Sequence, residues 1–503
     1  MKIYYLFNLL SALINLIFLK KFLHIYQLKN YNNARYLKHF KNKSSKFFVL
    51  CLIVFIVELI FHNLILYTTL NLLLIICFLL YVKNLIKTSK IPLIFTGKLS
   101  RLYIFSNFIL LLLCFYKHSF PLIFIFSLLC PILANAINIY DKVKNKIYIN
   151  KAKKKLQNHP AQIIAITGSN GKTSVKNILQ KILETEHQTQ STPASFNTPI
   201  GIAKFINNEL KYNTEFLILE YGARHKNDIK ELCKLFGADY GIVTTISAQH
   251  LESFKSIENI YKAKKQLANF LQNKPCVFNV DNLYTKRMYN EKIFNNYSAS
   301  INTKADVFIS NTQQNSENTS FDITIKNHTY SSSTILLGKH NLLNICLAAT
   351  MADIIGISHE NIIGAIKNLQ PIEHRLQFIK SHINIIDDSY NCSPLSAQEA
   401  LQTIKNFSGK KMIVTPGIIE CGKEKYNINF NLGKQMSFCD FCVIVGHENK
   451  SAISNGIKSA ILANKHSPQI LYANTLEDAK QHFSKLHNND TLLLLNDLPD
   501  DYK

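Results

Sequence analysis

The sequence predicts a multi-domain protein, with N-terminal transmembrane helices followed by an α/β P-loop central domain and an α/β Rossmann-like C-terminal domain. Three observations lead there. Apolar runs crowd residues 1–140. A strand, a glycine-punctuated turn and a helix follow one another over residues 161–179. From there on, short β-branched runs alternate with helical stretches, the pattern of a parallel sheet covered by helices.

The N-terminal region is set apart by its charge. The 503-residue chain has a formal net charge of +24. Residues 1–140 contain fifteen Lys or Arg and one acidic residue, Glu58, so they contribute +14 and the remainder +10. Apolar runs at about 3–19, 47–61, 64–82, 103–116 and 119–139 predict about five spans, some short enough to need tilt or a hairpin. No small-residue cleavage site follows the first run, which argues against a signal peptide. Basic residues gather in 20–46 and 83–101 and are nearly absent from the other two connections. Positive-inside reasoning places those loops, and everything after residue 141, in the cytoplasm of a multi-pass inner-membrane protein. Beside spans, such loops point to topology or inner-membrane lipid rather than to nucleic acid. Residues 141–160 read as a basic juxtamembrane linker ended by Pro160.

The central domain is expected over 161–370, with strands at 163–166, 216–220, 241–246 and 277–280. Between about 306 and 337 the texture turns to short β runs with polar turns, which suggests an antiparallel flap before a helix over 341–355. The C-terminal domain, 371–503, should have strands at 383–387, 412–415, 442–445 and 492–495. The eleven scattered cysteines are expected to be free thiols. Cys439 and Cys442 form a lone CxxC with no second pair for zinc.

The chemistry centres on residues 167–174. Gly168, Ser169, Asn170, Gly171, Lys172, Thr173 and Ser174 make a tight turn at the start of a helix, where unpaired N–H groups and the dipole favour an anion. Lys172 offers a charge to β- and γ-phosphates and Thr173 a hydroxyl to Mg²⁺. A generic P-loop would have glycine where Ile166 stands. Glu220 closes a second strand and His250 follows a third, so a carboxylate and an imidazole fall at strand ends, where they could hold a cation beside bound phosphates.

Six motifs then occur in the order seen in the Mur ligases, which this chain resembles over about 160–490. They are TGSNGKT (167–173), NTPIG (197–201), LEYGA (219–223), AQHLE (248–252), GKHNLLN (338–344) and DDSYNCSP (387–394). The last of these, LEYGA and VTPGIIECG (414–422) look most like the member that adds D-alanyl-D-alanine to UDP-MurNAc-tripeptide. The resemblance implies an ATP- and Mg²⁺-dependent amide ligase of peptidoglycan synthesis that acts through an acyl-phosphate. It assigns Glu220 and His250 to a metal, and Lys264 to a lysine that is carbamylated in relatives. Asn279, Asn341 and Arg375 would serve the nucleotide, and Asn197, Asp388 and Asn391 the substrates. Lys265–Gln266 replace the usual Gly-Glu, and His374 replaces a usual glycine. Residues 1–140 leave no room for the family's uridine-gripping first domain. Other cell-wall enzymes are further expected partners. The rival readings are a membrane-attached ligase of this type for another polymer, such as poly-γ-glutamate, and a non-catalytic membrane scaffold.

Overall fold

The computed structural model describes residues 93–113, 120–193, 196–249, 251–291, 295–315, 318–390, 392–419, 421–461 and 467–496, together with 19–28 and scattered positions up to 76. It divides into two compact units, one of residues 1–146 and 499–503 and one of residues 147–498.

In the first unit, residues 19–28 are helical, α1 is Gly97–Leu113, and α2 starts at Phe120 and runs to Gln157. The Arg101 guanidinium donates to Asp141 at 2.6 Å and so ties α1 to α2. Among the described residues, no helix is long and apolar enough to cross a membrane. The expected multi-pass placement in the inner membrane is therefore not upheld. The 17 residues of α1 reach about 26 Å at 1.5 Å per residue, short of a hydrocarbon core of about 30 Å. The runs expected at 3–19, 47–61 and 64–82 lie largely outside the described residues.

The juxtamembrane linker is also corrected. Residues 141–157 are the end of α2, and from 147 onward they belong to the second unit's core. Ala152 is fully buried there, beside Tyr148, Ile149 and Leu156. The Lys155 ammonium donates to the Ile206 and Leu210 carbonyls at 2.7 and 3.0 Å. The lysines that suggested a linker leave the opposite face apolar, and that face packs.

The second unit holds two sheets. The first has nine strands in the order β2-β3-β1-β4-β5-β6-β7-β8-β9. Its chain order is β1 (Gln162–Thr167), α3 (Lys172–Leu183), β2 (Thr189–Ser191), α4 (Pro199–Asn208), β3 (Phe216–Glu220), α5 (Asp228–Phe236), β4 (Tyr240–Val243), α6 (Ile257–Leu271), β5 (Pro275–Asn279), α7 (Leu283–Asn290), β6 (Asn295–Ser300), β7 (Val307–Gln314), β8 (Thr319–Ile325), β9 (His328–Thr334), α8 (Lys339–Ile355) and α9 (His359–Lys367). Strands β1 to β6 pair in parallel. Alternation along β1 sends Ile164 and Ile166 to a core with α3 and α8, and Ile163 and Ala165 to a core with α4, α5 and α6. Burial on both faces is why the strand reads as a continuous apolar run. The expected flap is the far end of this sheet, because β7 pairs in parallel with β6 before β7, β8 and β9 turn antiparallel.

The second sheet has six strands in the order β10-β11-β15-β12-β13-β14. These are β10 (Gln377–Lys380), β11 (Asn384–Asp388), β12 (Lys411–Thr415), β13 (Phe441–Val445), β14 (Gln469–Ala473) and β15 (Thr491–Leu495), with helices α10 (Pro394–Lys405), α11 (Lys425–Met436) and α12 (Lys450–Ile461). Only β10 is antiparallel to its neighbour. Seven of the cysteines in the second unit, Cys439 and Cys442 among them, are buried thiols.

Candidate active site

The carboxyl ends of β1, β3 and β4 open on a cavity of about 650 Å³, walled on its other side by residues of β11 and α10. The phosphate loop forms its floor. Gly171 has φ 84° and precedes α3, and a side chain there would come within 2.7 Å of Asn344 Oδ1. Only glycine suits that backbone at that approach. β4 stops at Val243 instead of continuing to 246, because the next residues turn to the loop. Ser169 N–H donates to the Thr245 carbonyl at 2.6 Å, and Thr244 Oγ1 donates to the Asn170 carbonyl at 2.5 Å.

Lys172 Nζ donates to the Gly168 and Ser169 carbonyls at 2.7 and 2.9 Å. Burial pulls its pKa down to about 8; Glu220 opposes the shift and Arg375 adds to it. Glu220, fully buried at the end of β3, has both carboxylate oxygens engaged. Lys176 Nζ lies 2.8 Å from Oε1, and Thr173 Oγ1 donates to Oε2 at 3.2 Å. Lys264 on α6 is buried and lines the same cavity. Burial first, and Lys172 second, hold its ammonium well below the usual lysine range.

The second sheet's residues reach across to this floor. Arg375 Nη2 donates to Thr173 Oγ1 at 3.2 Å, with its guanidinium 4.4 Å from the centre of the Tyr390 ring. Asn170 Nδ2 donates to Ser393 Oγ at 3.0 Å. Asp388, at the end of β11, accepts from the Leu376 N–H at 3.1 Å, and burial pushes its pKa up to about 6.

Two family models match in succession, the Mur ligase middle domain over residues 166–352 and the Mur ligase glutamate ligase domain over 374–496. A UDP-N-acetylmuramoyl-tripeptide–D-alanyl-D-alanine ligase of Buchnera aphidicola is 31% identical over 61% of this chain and 71% of its own length. The chain belongs to the Mur ligase family.

A ligase with the same name from Bacillus subtilis is 31% identical over 54% of the chain, which spans 59% of that relative. Among solved structures, the MurF ligase of Thermotoga maritima in complex with ADP matches with a TM-score of 0.63 at 22% identity. It covers 70% of this chain and 80% of its own. The fold is thus that of the Mur ligases.

Within this Mur ligase the expected site residues separate into groups. Gly168 to Ser174, Asn197, Glu220, Lys264, Asn279, Arg375 and Asp388 all line the one cavity. Asn197 lies against Gly222, whose N–H donates to the Asn197 carbonyl at 3.1 Å. Asn279 donates to Thr245 Oγ1 at 3.2 Å and accepts from the Asp281 N–H. Asn341 does not line the cavity. Its amide donates to the Leu337 carbonyl at 2.8 Å and accepts from Asn344, a fastening at the start of α8. Asn344, three residues on, is the one at the phosphate loop. The helical period would have found it, since the GKHNLLN motif puts both asparagines on one face. His250 and Asn391 lie outside the described residues. Lys176, His340 and Glu399 were not anticipated; Lys176 falls one turn after Lys172 on α3, which is the available signal.

Proposed function

We propose that this Mur ligase joins D-alanyl-D-alanine to UDP-MurNAc-tripeptide at the expense of ATP, through an acyl-phosphate. The observation that carries the reading is the meeting of two elements far apart in sequence. Arg375 from the second sheet's side reaches Thr173 of the phosphate loop, while Asp388 opens on the same cavity. The first step needs positive charge between two anions, the ATP γ-phosphate and the substrate carboxylate. Lys172, Arg375 and the N-terminus of α3 would supply it. The second step needs an amine brought to the activated carbonyl, and the Asp388 carboxylate, once ionised, is a counter-charge for it.

Mg²⁺, which the family resemblance implies, would have to displace the Lys176 and Arg375 contacts from Glu220 and Thr173. Thr173 and Glu220 present a hydroxyl and a carboxylate 3.2 Å apart, an oxygen-only pair suited to a hard cation that keeps much of its water. These two residues would hold it, and it would neutralise phosphate charge. Burial favours the neutral amine of Lys264, the form that attacks carbon dioxide, which supports carbamylation of this lysine. On this reading 161–370 is the ATP-binding domain and 371–503 the domain that receives the amine.

Mass spectrometry of the product from UDP-MurNAc-tripeptide, D-alanyl-D-alanine and ATP tests it. The expected product is UDP-MurNAc-pentapeptide, with ADP released only when both other substrates are present. ADP release without the dipeptide's incorporation, or preference for another amino donor, would overturn it.

A further inference from the structure

We propose that His340, held by Glu399, is the base that takes a proton from the attacking amine, an inference that rests on the ligase reading above. His340 is the second residue of α8 and Glu399 lies on α10, so the two sheets' helices contribute one residue each. His340 Nδ1 lies 3.0 Å from Glu399 Oε2, and both side chains are partly exposed where they line the cavity that contains Lys172 and Asp388.

The imidazole is held in place by packing. Gly338 has φ 87°, and a side chain there would lie 2.8 Å from His340 Cε1 and 2.9 Å from Leu376 Cδ2. The ring and Leu376 therefore close over the same glycine. The Leu376 N–H in turn donates to Asp388 Oδ1. One corner of the cavity thus gathers an imidazole, its carboxylate partner and the carboxylate proposed to hold the amine. The charged groups that face the imidazole are Glu399 from α10 and Asp388 from β11, with Lys339 beside it on α8.

The chemistry requires such a group. An alkylammonium has no lone pair, and a carboxylate alone would keep it in that form. Glu399, 3.0 Å from Nδ1, favours the proton of neutral His340 on that nitrogen, which leaves Nε2 with the free lone pair. It takes one proton from the ammonium, and the amine nitrogen then forms the C–N bond to the acyl carbon. As the tetrahedral intermediate collapses, the C–O bond to phosphate breaks, and phosphate leaves with the electron pair and the nitrogen's second proton. The other carboxylates on the cavity are committed. Glu220 is engaged by Lys176 and Thr173. Asp281 accepts from Ser300 Oγ at 2.5 Å and from the Ile301 N–H at 2.7 Å.

The test compares two nucleophiles on the full chain. Hydroxylamine is neutral near pH 7 and needs no base, whereas D-alanyl-D-alanine enters as an ammonium. In His340→Gln, amide synthesis should fall by about 10²- to 10⁴-fold, while the hydroxamate trapped from the acyl-phosphate stays within a few-fold of wild type. In Glu399→Gln, the acidic limb of the amide-forming rate should move to lower pH, because the imidazolium loses its counter-charge. Hydroxamate and amide falling together, or an unmoved acidic limb in Glu399→Gln, would overturn the dyad. If His340→Gln does not fold, the Glu399→Gln profile decides alone. Wild-type protein that yields neither hydroxamate nor amide from these substrates would instead overturn the ligase reading.

Discussion

The phosphate loop and the Gly338 corner are built by the same device and differ in who supplies the parts. In each, a glycine with positive φ lets another residue's side chain close over the backbone, Asn344 over Gly171 and the His340 ring over Gly338. The loop is completed almost wholly by the nine-stranded sheet and its helices, through Thr244, Thr245 and Asn344. The corner needs Leu376, Asp388 and Glu399 from the other sheet's side. On the proposed reading, closure of the phosphate loop draws mainly on one sheet, with Arg375 reaching it from the other side, and amine handling draws on both. The two halves of the reaction should be separable by mutation.

The largest expected effect tests the local side. Lys172→Ala should lower the rate of acyl-phosphate formation by roughly a hundred- to a thousand-fold, the usual consequence of losing one charge that faces the transition state. The hydroxamate trap reads it, and a near-normal yield would break the comparison at its root. Asp388→Asn tests the shared side. Hydroxamate should persist while amide synthesis is lost, and protonation of the wild-type carboxylate near pH 6 should add to the acidic decline that protonation of His340 begins. The same substitution should stabilise the fold. A carboxyl pKa raised in the folded state means that the native protein binds more protons between about pH 4 and 6, so stability is lost as pH rises through that window. Removing the charge should return about 1–3 kcal/mol at pH 7, seen as a higher Tm; a lower one would contradict the buried-charge account. The smallest effect sharpens the boundary. Asn341→Ala should cost about 1 kcal/mol of stability and leave the KM for ATP unchanged, whereas Asn344→Ala should raise that KM. Equal KM values in the two variants would remove Asn344 from the loop.

What could be read from sequence follows the same division. The loop was legible because strand, turn and helix are contiguous, and the helix begins at Lys172 as expected. Strand 216–220 was legible because burial on both faces makes it uniformly apolar. Strands β2, β10 and β14 were not, being edge strands of three to five residues with polar or exposed positions. The end of α2 was misread as a linker because its lysines masked the apolar face that meets Asn207 and Asn208. Tyr148 OH donates to Asn208 Oδ1 at 2.8 Å, and Asn207 Nδ2 to the Tyr148 carbonyl at 3.0 Å. The Gly338 corner was out of reach for a different reason. Residues 338, 340, 376, 388 and 399 share no local period, and only the packing of two sheets brings them together.

The contact between Gly171 and Asn344 also bears on the order in which the protein is made. The loop lies near the start of its sheet in sequence, yet the residue that closes over it belongs to α8, which shares a core with α3 that includes Ile345 and Val175. A chain emerging from the ribosome has thus synthesised its phosphate loop long before it can fix that loop's shape. Contacts of such sequence separation form late, after the intervening strands have been ordered. Nucleotide should then give little protection to a nascent chain halted before residue 339, and full protection only once α8 has cleared the exit tunnel.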